Sequence, residues 1–504
     1  MKSADTYMRH VDGLRALAVL SVILYHLGVR QTPGGYVGVD VFFVISGFLI
    51  TRLIYEELRT TGRFDFARFY IRRMRRLFPA LFVTLAITTG AAMMVLSPGA
   101  FAKFGASLAA ATVSISNILF WNEAGYFDSD SFLKPLLHTW SLSVEEQFYL
   151  IWPAFLWLLM SRWSMRGAAV AGALVAIGIA SFALNALWVH GDFNADYQYA
   201  IFFLTPFRVF EFVIGGLGLF LLNAVRDRIV LQDVFMAVGL ALIGYSIATF
   251  DKTLVFPYWH GLLPSFGTLL VILSGQSLRV GPLLTNRAAV FTGLISYSLY
   301  LVHWPLIVFY NYISLAPRTA GNQLALIAAT FALAYLLYRF IETPFRKGTP
   351  TAARLNPQRA FVMGSLGAML VSCVLGGTIW LQDGWSWRQP QALTAAQIDS
   401  GMQRRYATGR SPRCNILALA EKKRCKMDRP FQVLVFGNSH EPDAYNAFDA
   451  IYGSNPDVNL ITFGTTNGCN LEIAGGVPNL ATKVRDCKKR FDIIADAAFV
   501  SKLG

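Results

Sequence analysis

The stretch Val11–Arg30, VDGLRALAVLSVILYHLGVR, is an apolar run long enough to cross a bilayer as a helix. Arg15 and His26 interrupt it. They are almost three helical turns apart, so both side chains lie on one face, roughly 16 Å from each other along the axis. Ionisable residues inside a spanning helix are costly and mark functional sites. We predict that Arg15 holds an anionic group near one membrane surface and that His26, deeper in, moves protons. The alternative is an arginine that reaches the interface and a hydrogen-bonded structural histidine.

The composition is that of a membrane protein. Of 504 residues, 55% are hydrophobic and only 15% are charged, whereas a soluble domain carries about 25% charged residues. Long apolar runs recur to about residue 382, which predicts a polytopic helical protein. The net charge of +14 does not indicate nucleic-acid binding, because Lys and Arg form short clusters between apolar runs, as the positive-inside rule expects.

The charged connectors predict the topology. Four arginines within residues 72–76 should stay cytoplasmic, and the stretch 122–134 should be external. Two apolar runs lie between them, so only one can cross. We assign 78–97 as the crossing and 101–121 as a re-entrant or interfacial segment. The predicted fold is an all-α polytopic membrane bundle of about eleven crossings plus one re-entrant segment, with a cytoplasmic N-terminus and an external C-terminus.

Cysteine usage also places the tail outside the cytoplasm. Four of the five cysteines fall in the last hundred residues: Cys414, Cys425, Cys469 and Cys487. Cysteines concentrated in one polar tail predict an oxidising compartment, here a bacterial periplasm. Pairing each cysteine with its neighbour in the sequence gives Cys414–Cys425 and Cys469–Cys487, although the sequence does not determine the connectivity.

The tail has the pattern of a small α/β domain. A polar linker at 384–429 is followed by FQVLVFGNSHEPDAYNAFDAIYG, which predicts a strand, a tight turn and a helix. Further strands are predicted at 458–463 (VNLITF) and 491–500 (FDIIADAAFV). The roughly 75 residues from 430 to the end are too few for a doubly wound sheet of usual size. Ser439 lies at the turn, where its hydroxyl would be exposed and nearby N–H groups could stabilise an oxyanion.

An acidic pair stands beside a histidine at residues 138–153, HTWSLSVEEQFYLIWP. Glu145 and Glu146 are predicted to open the apolar helix that follows, and one of them is explained as a cap that interacts with the helix dipole. The second is less easily explained in this way. We predict that a glutamate near the membrane core orients or deprotonates His26, as carboxylates do in acyl-transfer triads.

Three other polar features lie in or beside apolar runs. The stretch 296–305, SYSLYLVHWP, contains Tyr300 and His303, which we interpret as hydrogen-bonded residues of a helix bundle. Glu342 is predicted to pair with a neighbouring arginine. The arginines at 72–76 either anchor the chain on the cytoplasmic side or clamp the phosphates of a cytoplasmic cofactor.

Together these motifs resemble the acyltransferase 3 family of bacterial integral-membrane O-acyltransferases. The matching elements follow the family's order over about residues 7–346: HVDGLRALAVLSVILYH, GGYVGVDVFFVISGFLIT, FYIRRMRRLFPA, HTWSLSVEEQFYLIWP, SYSLYLVHWP and FIETPFR. The tail is similar to the SGNH hydrolase-type domain fused to many members, with FGNSH in place of its first block. That match is partial, because no later D-x-x-H block is found.

The resemblance implies site residues. His26 would be the essential base or a transient acyl carrier, with Arg15 on the same helix. Arg73 and Arg76 would be the family's Arg-x-x-Arg pair, which binds the donor, usually acetyl-CoA. Glu145 would be the glutamate of the WSL-x-V-E pattern.

The arginine pair has an alternative register, Arg72 and Arg75. Ser439 would be the serine of the SGNH-like domain and would complete the transfer if its partners exist.

We therefore expect a multi-pass O-acyltransferase of the bacterial inner membrane. It would transfer an acyl group, expected to be acetyl, from cytoplasmic acyl-CoA to a hydroxyl of a cell-envelope polysaccharide or lipid-linked glycan, such as lipopolysaccharide O-antigen. No metal and no nucleic acid are expected. The predicted domains are the acyltransferase 3 domain at 1–346, a cytoplasmic loop and an additional transmembrane helix at 347–383, the periplasmic linker at 384–429 and a partial SGNH-like domain at 430–504.

Two other functions fit some of the same residues. A transporter of an acyl or glycan intermediate, without covalent chemistry, would also use intramembrane Arg, His and Glu. An esterase confined to the tail would use Ser439, but the missing D-x-x-H block argues against it.

Overall fold

The chain forms two separate units in the computed structural model, Met1–Gln389 and Pro390–Gly504. The division falls inside the linker predicted at 384–429. The structure describes residues 7–124, 131–191, 197–314, 318–347, 357–388, 414–420, 425–435, 441–463, 473–474, 477–478, 487–501 and 503.

The first unit is built from α-helices, as the apolar runs predict. In its first half these are α1 Arg9–His26, α2 Gly38–Thr61, α3 Phe66–Val95, α4 Pro98–Thr112, α5 Ser116–Glu123, α6 Thr139–Trp157, α7 Ala168–His190, α8 Tyr197–Phe203 and α9 Val209–Val225. They are followed by α10 Ile229–Thr249, α11 Tyr258–Leu273, α12 Pro282–Thr285, α13 Arg287–Leu294, α14 Ser296–Ile313, α15 Ala320–Leu337, α16 Thr343–Lys347 and α17 Pro357–Leu381.

Six helices of the described chain are long and apolar enough to cross a membrane: α2, α3, α7, α10, α15 and α17. The number is seven if α13 and α14, which meet at a bend of 67°, form one span. The apolar helices α9 and α11 are shorter, and α1 carries Arg9, Asp12 and Arg15 within its eighteen residues. A helical membrane unit is therefore confirmed, whereas the predicted count of eleven crossings is not confirmed and stays a prediction.

The segment 101–121 does not form one straight helix. It is divided between α4 and α5, with a break at 113–115 where Ser114 adopts a positive φ of 58°. Neither helix is long enough to cross a bilayer alone. The break agrees with excluding this segment from the straight crossings, and its re-entrant character remains a prediction.

Helix α2 packs very closely against α9. A Cβ atom on Gly47 would lie only 2.0 Å from the backbone oxygen of Phe212, and one on Gly215 would lie 1.9 Å from that of Val44. Small residues allow this approach because packing, rather than hydrophobic contrast, holds helices together in a membrane. Gly47 and Gly215 thus lie where the two helices cross.

Helix α3 joins the arginine block to the next apolar run. Asp65 caps its N-terminus by accepting a hydrogen bond from the backbone N–H of Arg68 at 2.9 Å. The helix then continues through Pro79 to Val95. The arginines are therefore held on the first turns of a long rigid element and not in a loop.

Helix α6 begins at Thr139, so the prediction that Glu145 and Glu146 open it is wrong. The earlier turn is stabilised by side chains buried against neighbouring helices. Thr139 donates a hydrogen bond to Ser116 at 2.9 Å, and Ser141 bonds with the hydroxyl of Tyr300. Glu145 and Glu146 consequently lie in the second turn, away from the helix dipole's positive end.

The second unit contains a small parallel sheet in the order β1–β3–β2, formed by Cys414–Asn415, Val458–Thr462 and Phe431–Val435. Helix α18, Glu441–Tyr452, connects β2 to β3 as a crossover between parallel strands. A short antiparallel pair, β4 Ile473–Ala474 and β5 Val477–Pro478, lies apart from it. The strand–helix–strand prediction is confirmed here.

The last predicted strand, 491–500, is wrong. The structure has two helices there, α19 Cys487–Ala495 and α20 Ala497–Val500. Asp496 ends the first and caps the second by accepting a hydrogen bond from the backbone of Ala498 at 2.9 Å. A short apolar run fits either structure, and here the capping aspartate favours helix.

The disulfide Cys414–Cys425 is formed and buried in this unit. The pairing predicted for Cys469 and Cys487 lies outside the residues whose side chains are described.

Candidate functional site

The two histidines of the predicted motifs meet in the first unit. His26 is the last residue of α1, and its Nδ1 lies 3.0 Å from Nε2 of His303 on α14. Nδ1 of His303 lies 2.7 Å from the backbone oxygen of Tyr300. A carbonyl can only accept, so His303 carries its proton on Nδ1 and accepts at Nε2. His26 therefore donates from Nδ1, and its Nε2 keeps a free lone pair.

The position of His26 is fixed by contacts from three sides. Its ring lies 4.5 Å from that of Trp304 and 5.2 Å from that of Tyr25, measured between centroids. The carbonyl groups that end α1 are also bound, because Arg318 donates to His26 O at 2.9 Å and Gln323 to Leu27 O at 3.1 Å. Such support holds an imidazole in one orientation, as a general base requires.

His26 lies on the wall of a cavity of about 380 Å³, which we call the histidine cavity. Its other walls come from α2, α6, α8, α14 and the segments between helices at 131–138 and 251–256. The lining residues are Val22, Tyr25, His26, Tyr36, Val39, Asp40, Ala124, Ser131, Phe132, Leu137, His138, Trp140, Gln198, Tyr199, Phe202, Phe203, Arg208, Asp251, Lys252, Leu254, Phe256, Tyr300 and Trp304.

The rim of this cavity carries fixed charges. Asp251 accepts hydrogen bonds from the side chain of Thr253 at 2.6 Å and from its backbone at 2.8 Å, and these bonds lower the pKa of the Asp251 carboxyl. Lys252 stands beside it, over the ring of Phe132.

A second cavity, of about 70 Å³, lies among the arginines, and we call it the arginine cavity. Its lining residues are Arg15, Val39, Phe42, Phe43, Ile45, Ser46, Leu49, Arg73, Arg76, Leu77, Ser141, Leu142, Glu145, Tyr149, Ser296, Tyr297 and Tyr300. Only Val39 and Tyr300 belong to both cavities, so these two residues mark the place where they adjoin.

Three predicted cationic residues, Arg15, Arg73 and Arg76, meet at the arginine cavity, although α1 and α3 are separate helices. Arg15 is oriented by Asp12, whose Oδ1 lies 3.0 Å from its Nη1. Arg72 and Arg75 do not line this cavity. The geometry thus favours the register Arg73 and Arg76 for an anion site.

Glu145 occupies the arginine cavity and not the neighbourhood of His26. It accepts hydrogen bonds from the hydroxyls of Ser46 and Tyr149, and Arg73 lies over the Tyr149 ring at 4.2 Å from its centroid. Among the described residues no hydrogen bond joins Glu145 to His26, whose ring is bonded to His303 instead. The prediction that a glutamate of this pair orients His26 is therefore wrong for Glu145. The two groups are separated because Glu145 lies on the second turn of α6, next to α2.

Glu342 has a hydrogen-bond partner that was not predicted, in addition to its electrostatic interaction with Arg76 and Arg346. It is buried, and its Oε2 accepts a hydrogen bond from Ser298 at 3.0 Å. The carboxylate is thus buried against α14, where the Ser298 hydroxyl supplies a hydrogen bond that a buried acceptor needs.

One buried ionic cluster was not recognised from the sequence. Arg208, Asp40 and Glu211 are each at most 1% exposed, and Nη1 of Arg208 lies 3.0 Å from Asp40 and 2.8 Å from Glu211. The signal was present, since Arg208 and Glu211 interrupt the apolar run at 201–222. Charges at such positions are the ones that should be paired or functional.

The remaining site prediction, Ser439, lies outside the described residues. Within the part of the chain that the structure describes, no group of three or more His, Cys, Asp or Glu side chains could hold a metal ion.

The chain is similar to known acyltransferases. Residues 8–339 match the family described as an acyltransferase domain. The peptidoglycan O-acetyltransferase OatA of Listeria monocytogenes is 31% identical over 354 residues, which cover 68% of this chain and 56% of that protein. OatA of Staphylococcus aureus, an O-acetyltransferase, is 33% identical over 358 residues, covering 68% and 57%. A putative O-acetyltransferase of the same species is 34% identical over 365 residues, covering 70% and 59%.

The chain thus spans less than three fifths of the length of these curated relatives. No solved structure matches it. The family match covers both cavities and the paired histidines, and it extends over more than half of the sequence. The chain belongs to the acyltransferase 3 family.

Proposed function

We propose that this protein is an O-acetyltransferase of the bacterial inner membrane that transfers an acetyl group from cytoplasmic acetyl-CoA to a hydroxyl of a cell-envelope polysaccharide. The observation that carries the proposal is the free Nε2 of His26, held on a cavity wall by His303 while the arginines line an adjoining cavity. Acyl transfer needs a general base that works near neutral pH, and histidine is the side chain suited to it.

In the proposed step, Nε2 of His26 removes the proton of the acceptor hydroxyl while its oxygen attacks the thioester carbon. The new carbon–oxygen bond gives a tetrahedral intermediate. It collapses as the carbon–sulfur bond breaks, and the CoA thiolate takes the proton from Nε2. Imidazolium is stabilised between these steps by the hydrogen bond from Nδ1 of His26 to His303, which becomes charge-assisted. The products are an ester and CoA.

The donor is assigned to the arginine cavity. CoA phosphates are bound well by guanidinium groups, which donate in pairs and stay charged. Arg73 and Arg76 would hold these phosphates on the cytoplasmic side, and Arg15 would interact with the part of the donor that lies further along α1. The acyl arm would pass between Val39 and Tyr300 to reach His26.

The acceptor is assigned to the histidine cavity, which is lined in part by Ala124, Ser131 and Phe132 of the stretch 122–134 that the charge pattern predicts to be external. Two polysaccharides are candidates. Lipopolysaccharide O-antigen is the acceptor suggested by the sequence, and peptidoglycan is the substrate in the name of the Listeria relative. A lipid-linked glycan precursor of either would present the same hydroxyls.

Ser439 defines an alternative final step. If the second unit acts as an SGNH-type domain, the acetyl group passes to Ser439 and then to the glycan. Ser439→Ala would abolish the acetyl mark on this route and would leave it unchanged if the membrane unit transfers the group directly.

The deciding experiment measures acetylation of both polysaccharides in cells that express wild type, His26→Ala or His190→Ala at matched membrane levels. His190 is the control because it lies at the end of α7, bonded to Tyr258, and lines neither cavity. We expect the acetyl mark to vanish with His26→Ala alone. Persistence of the mark in His26→Ala would make the histidine structural and the proposed chemistry wrong.

The same cells separate the enzyme from a transporter. Acetyl-CoA cleavage that depends on His26 requires covalent chemistry, whereas movement of an acyl or glycan intermediate without change would identify a transporter. If a covalent acetyl group is trapped on His26 when no acceptor is present, His26 acts as an acyl carrier and not as a general base.

A further inference from the structure

The arginine block on α3 has two faces. Arg73 and Arg76 line the arginine cavity, whereas the guanidinium of Arg75 lies over the ring of Phe361 on α17, 5.5 Å from its centroid. Helix α17 contacts α3 and follows the loop that is predicted to be cytoplasmic. Arg75 is therefore held at the end of the bundle predicted to be cytoplasmic, outside the cavity that is assigned to the donor.

A second cation belongs to the same surface. The ring centroid of Phe361 is 6.1 Å from that of Phe345 on α16, and Arg346 follows Phe345 in the chain. Phe345 and Arg346 are exposed, whereas Arg75 and Phe361 are half-buried. We call these four residues the arginine–phenylalanine patch.

The patch lies close to the arginine cavity. The buried carboxylate of Glu342 interacts electrostatically both with Arg76, which lines that cavity, and with Arg346 of the patch. Arg75 and Arg76 are also consecutive residues of α3. A donor that is bound by Arg76 therefore has the patch beside it.

The chemistry of the patch suits a nucleotide phosphate. Neither Arg75 nor Arg346 forms a salt bridge among the described residues. A guanidinium donates parallel hydrogen bonds that match the oxygens of a phosphate, and aromatic side chains are the surfaces on which nucleic-acid bases stack. Anchoring at the cytoplasmic surface needs positive charge alone and does not require rings beside the guanidinium groups.

CoA carries such a phosphate at the end away from its thioester. Its diphosphate joins the pantetheine arm to adenosine, and a separate phosphate is bound to the 3′ oxygen of the ribose. If Arg73 and Arg76 hold the diphosphate, which is the phosphate group nearer to the acyl arm, the adenosine 3′-phosphate extends beyond them. The cations beside the arginine cavity are then the ones that this end of the donor meets.

We propose that the arginine–phenylalanine patch binds the adenosine 3′-phosphate end of the acyl-CoA donor, with Arg75 and Arg346 on the phosphate and Phe345 beside the adenine. The inference rests on the proposed function, because it takes the donor to be an acyl-CoA. The family match ends at residue 339, so Phe345, Arg346 and Phe361 extend the donor site beyond the matched domain.

The first test uses the wild type and shortened donors. Acetyl-dephospho-CoA lacks the 3′-phosphate, and acetyl-pantetheine lacks the whole nucleotide. Transfer of labelled acetyl groups to the envelope polysaccharide is measured in membranes that carry the full chain. We expect KM to rise by about tenfold or more from acetyl-CoA to acetyl-dephospho-CoA, and to rise again with acetyl-pantetheine. Equal KM values for acetyl-CoA and acetyl-dephospho-CoA would overturn the proposal without any substitution.

The second test locates the contact by comparing Arg346→Ala with Arg72→Ala. Both residues are exposed, and Arg72 lines neither cavity, so each variant loses one surface cation at the end predicted to be cytoplasmic. Arg346→Ala should raise KM for acetyl-CoA by about tenfold and leave KM for acetyl-dephospho-CoA within about twofold, because the phosphate is already absent there. Arg72→Ala should change neither value. Equal effects of the two variants, or an equal effect of Arg346→Ala on both donors, would overturn the assignment.

A phospholipid headgroup presents the same phosphate chemistry, and a binding measurement separates it from the donor. The purified chain is placed in nanodiscs of phosphatidylcholine, with or without phosphatidylglycerol, and titrated with CoA or dephospho-CoA in a calorimeter. CoA should bind the wild type about tenfold more tightly than dephospho-CoA in both lipids, and Arg346→Ala should remove the difference. Equal binding of the two ligands, with a melting temperature that phosphatidylglycerol raises in the wild type and not in Arg346→Ala, would assign the patch to lipid instead.

The outcomes distinguish the subsite from the proposed enzyme. Preferential binding of CoA that depends on Arg346, together with no acetyl transfer by the wild type, would retain the subsite and reject the enzyme. Acetyl transfer by the wild type with no preference for the 3′-phosphate would reject the subsite alone.

Discussion

Replacing His303 by leucine should slow catalysis without weakening substrate binding. His303 is fully buried, and its Nε2 receives the only hydrogen bond that the described structure shows for the ring of His26. When His26 becomes imidazolium, this bond has a charged donor. Hydrogen bonds to charged groups contribute about 1.5–3 kcal/mol, and each 1.36 kcal/mol corresponds to about tenfold in rate. We therefore expect kcat to fall by roughly 10- to 150-fold, less than on complete removal of a general base, which contributes about 10²–10⁴-fold.

The assay is steady-state transfer of labelled acetyl groups in membranes, with both substrates varied. His303→Leu should lower kcat and leave KM for acetyl-CoA within about twofold, because His303 lines neither cavity. His303→Gln should recover part of the loss, since its amide oxygen can accept the Nδ1 hydrogen of His26. A purely structural histidine would instead lower the amount of folded protein in both variants. Full activity of His303→Leu, or no recovery with His303→Gln, would refute the assigned orientation of His26.

Three further predictions concern donor binding, helix packing and the tail. Arg73→Ala should raise KM for acetyl-CoA by about tenfold or more, because it removes charge-assisted bonds to phosphate; Arg72→Ala, outside the arginine cavity, should change it little. Gly47→Ala should lower the melting temperature in detergent, since its Cβ would overlap a backbone oxygen of α9, whereas Gly90→Ala, with nothing within 4 Å, should not. Cys414→Ser opens the disulfide and should destabilise the second unit by about 3 kcal/mol, seen as faster limited proteolysis of the tail. The arguments would be contradicted by an unchanged KM in Arg73→Ala, an unchanged melting temperature in Gly47→Ala or an unchanged rate of proteolysis in Cys414→Ser.

The sequence was most informative where a single helix carries the signal. Arg15 and His26 stood out because lipid-spanning helices exclude such residues. The motif favoured Arg73 and Arg76 but left Arg72 and Arg75 as an alternative register, and the arginine cavity is lined by Arg73 and Arg76. The strand before Ser439 was predictable for the same local reason, an apolar run ended by turn residues.

Pairings between helices were not predictable in this way. His26 and His303 are 277 residues apart, and nothing in either helix alone indicates that they meet. A glutamate of the Glu145–Glu146 pair was predicted to act on His26 because a carboxylate and an imidazole are a common pair. Helix α6 instead begins about one and a half turns earlier than predicted, and Glu145 accepts a hydrogen bond from Ser46 of α2. Residues 491–500 are helical because Asp496 caps the second of two helices there. The short apolar run that suggested a strand fits a helix equally well.

The sizes of the two cavities bear on how the donor reaches His26. The histidine cavity, at about 380 Å³, is about five times larger than the arginine cavity, at about 70 Å³, and the two adjoin at Val39 and Tyr300. On the proposed route the acyl arm passes these two side chains to reach His26, so donor and acceptor would meet only at this junction. Bound substrates that fill both cavities would exclude water there and so protect the thioester from hydrolysis.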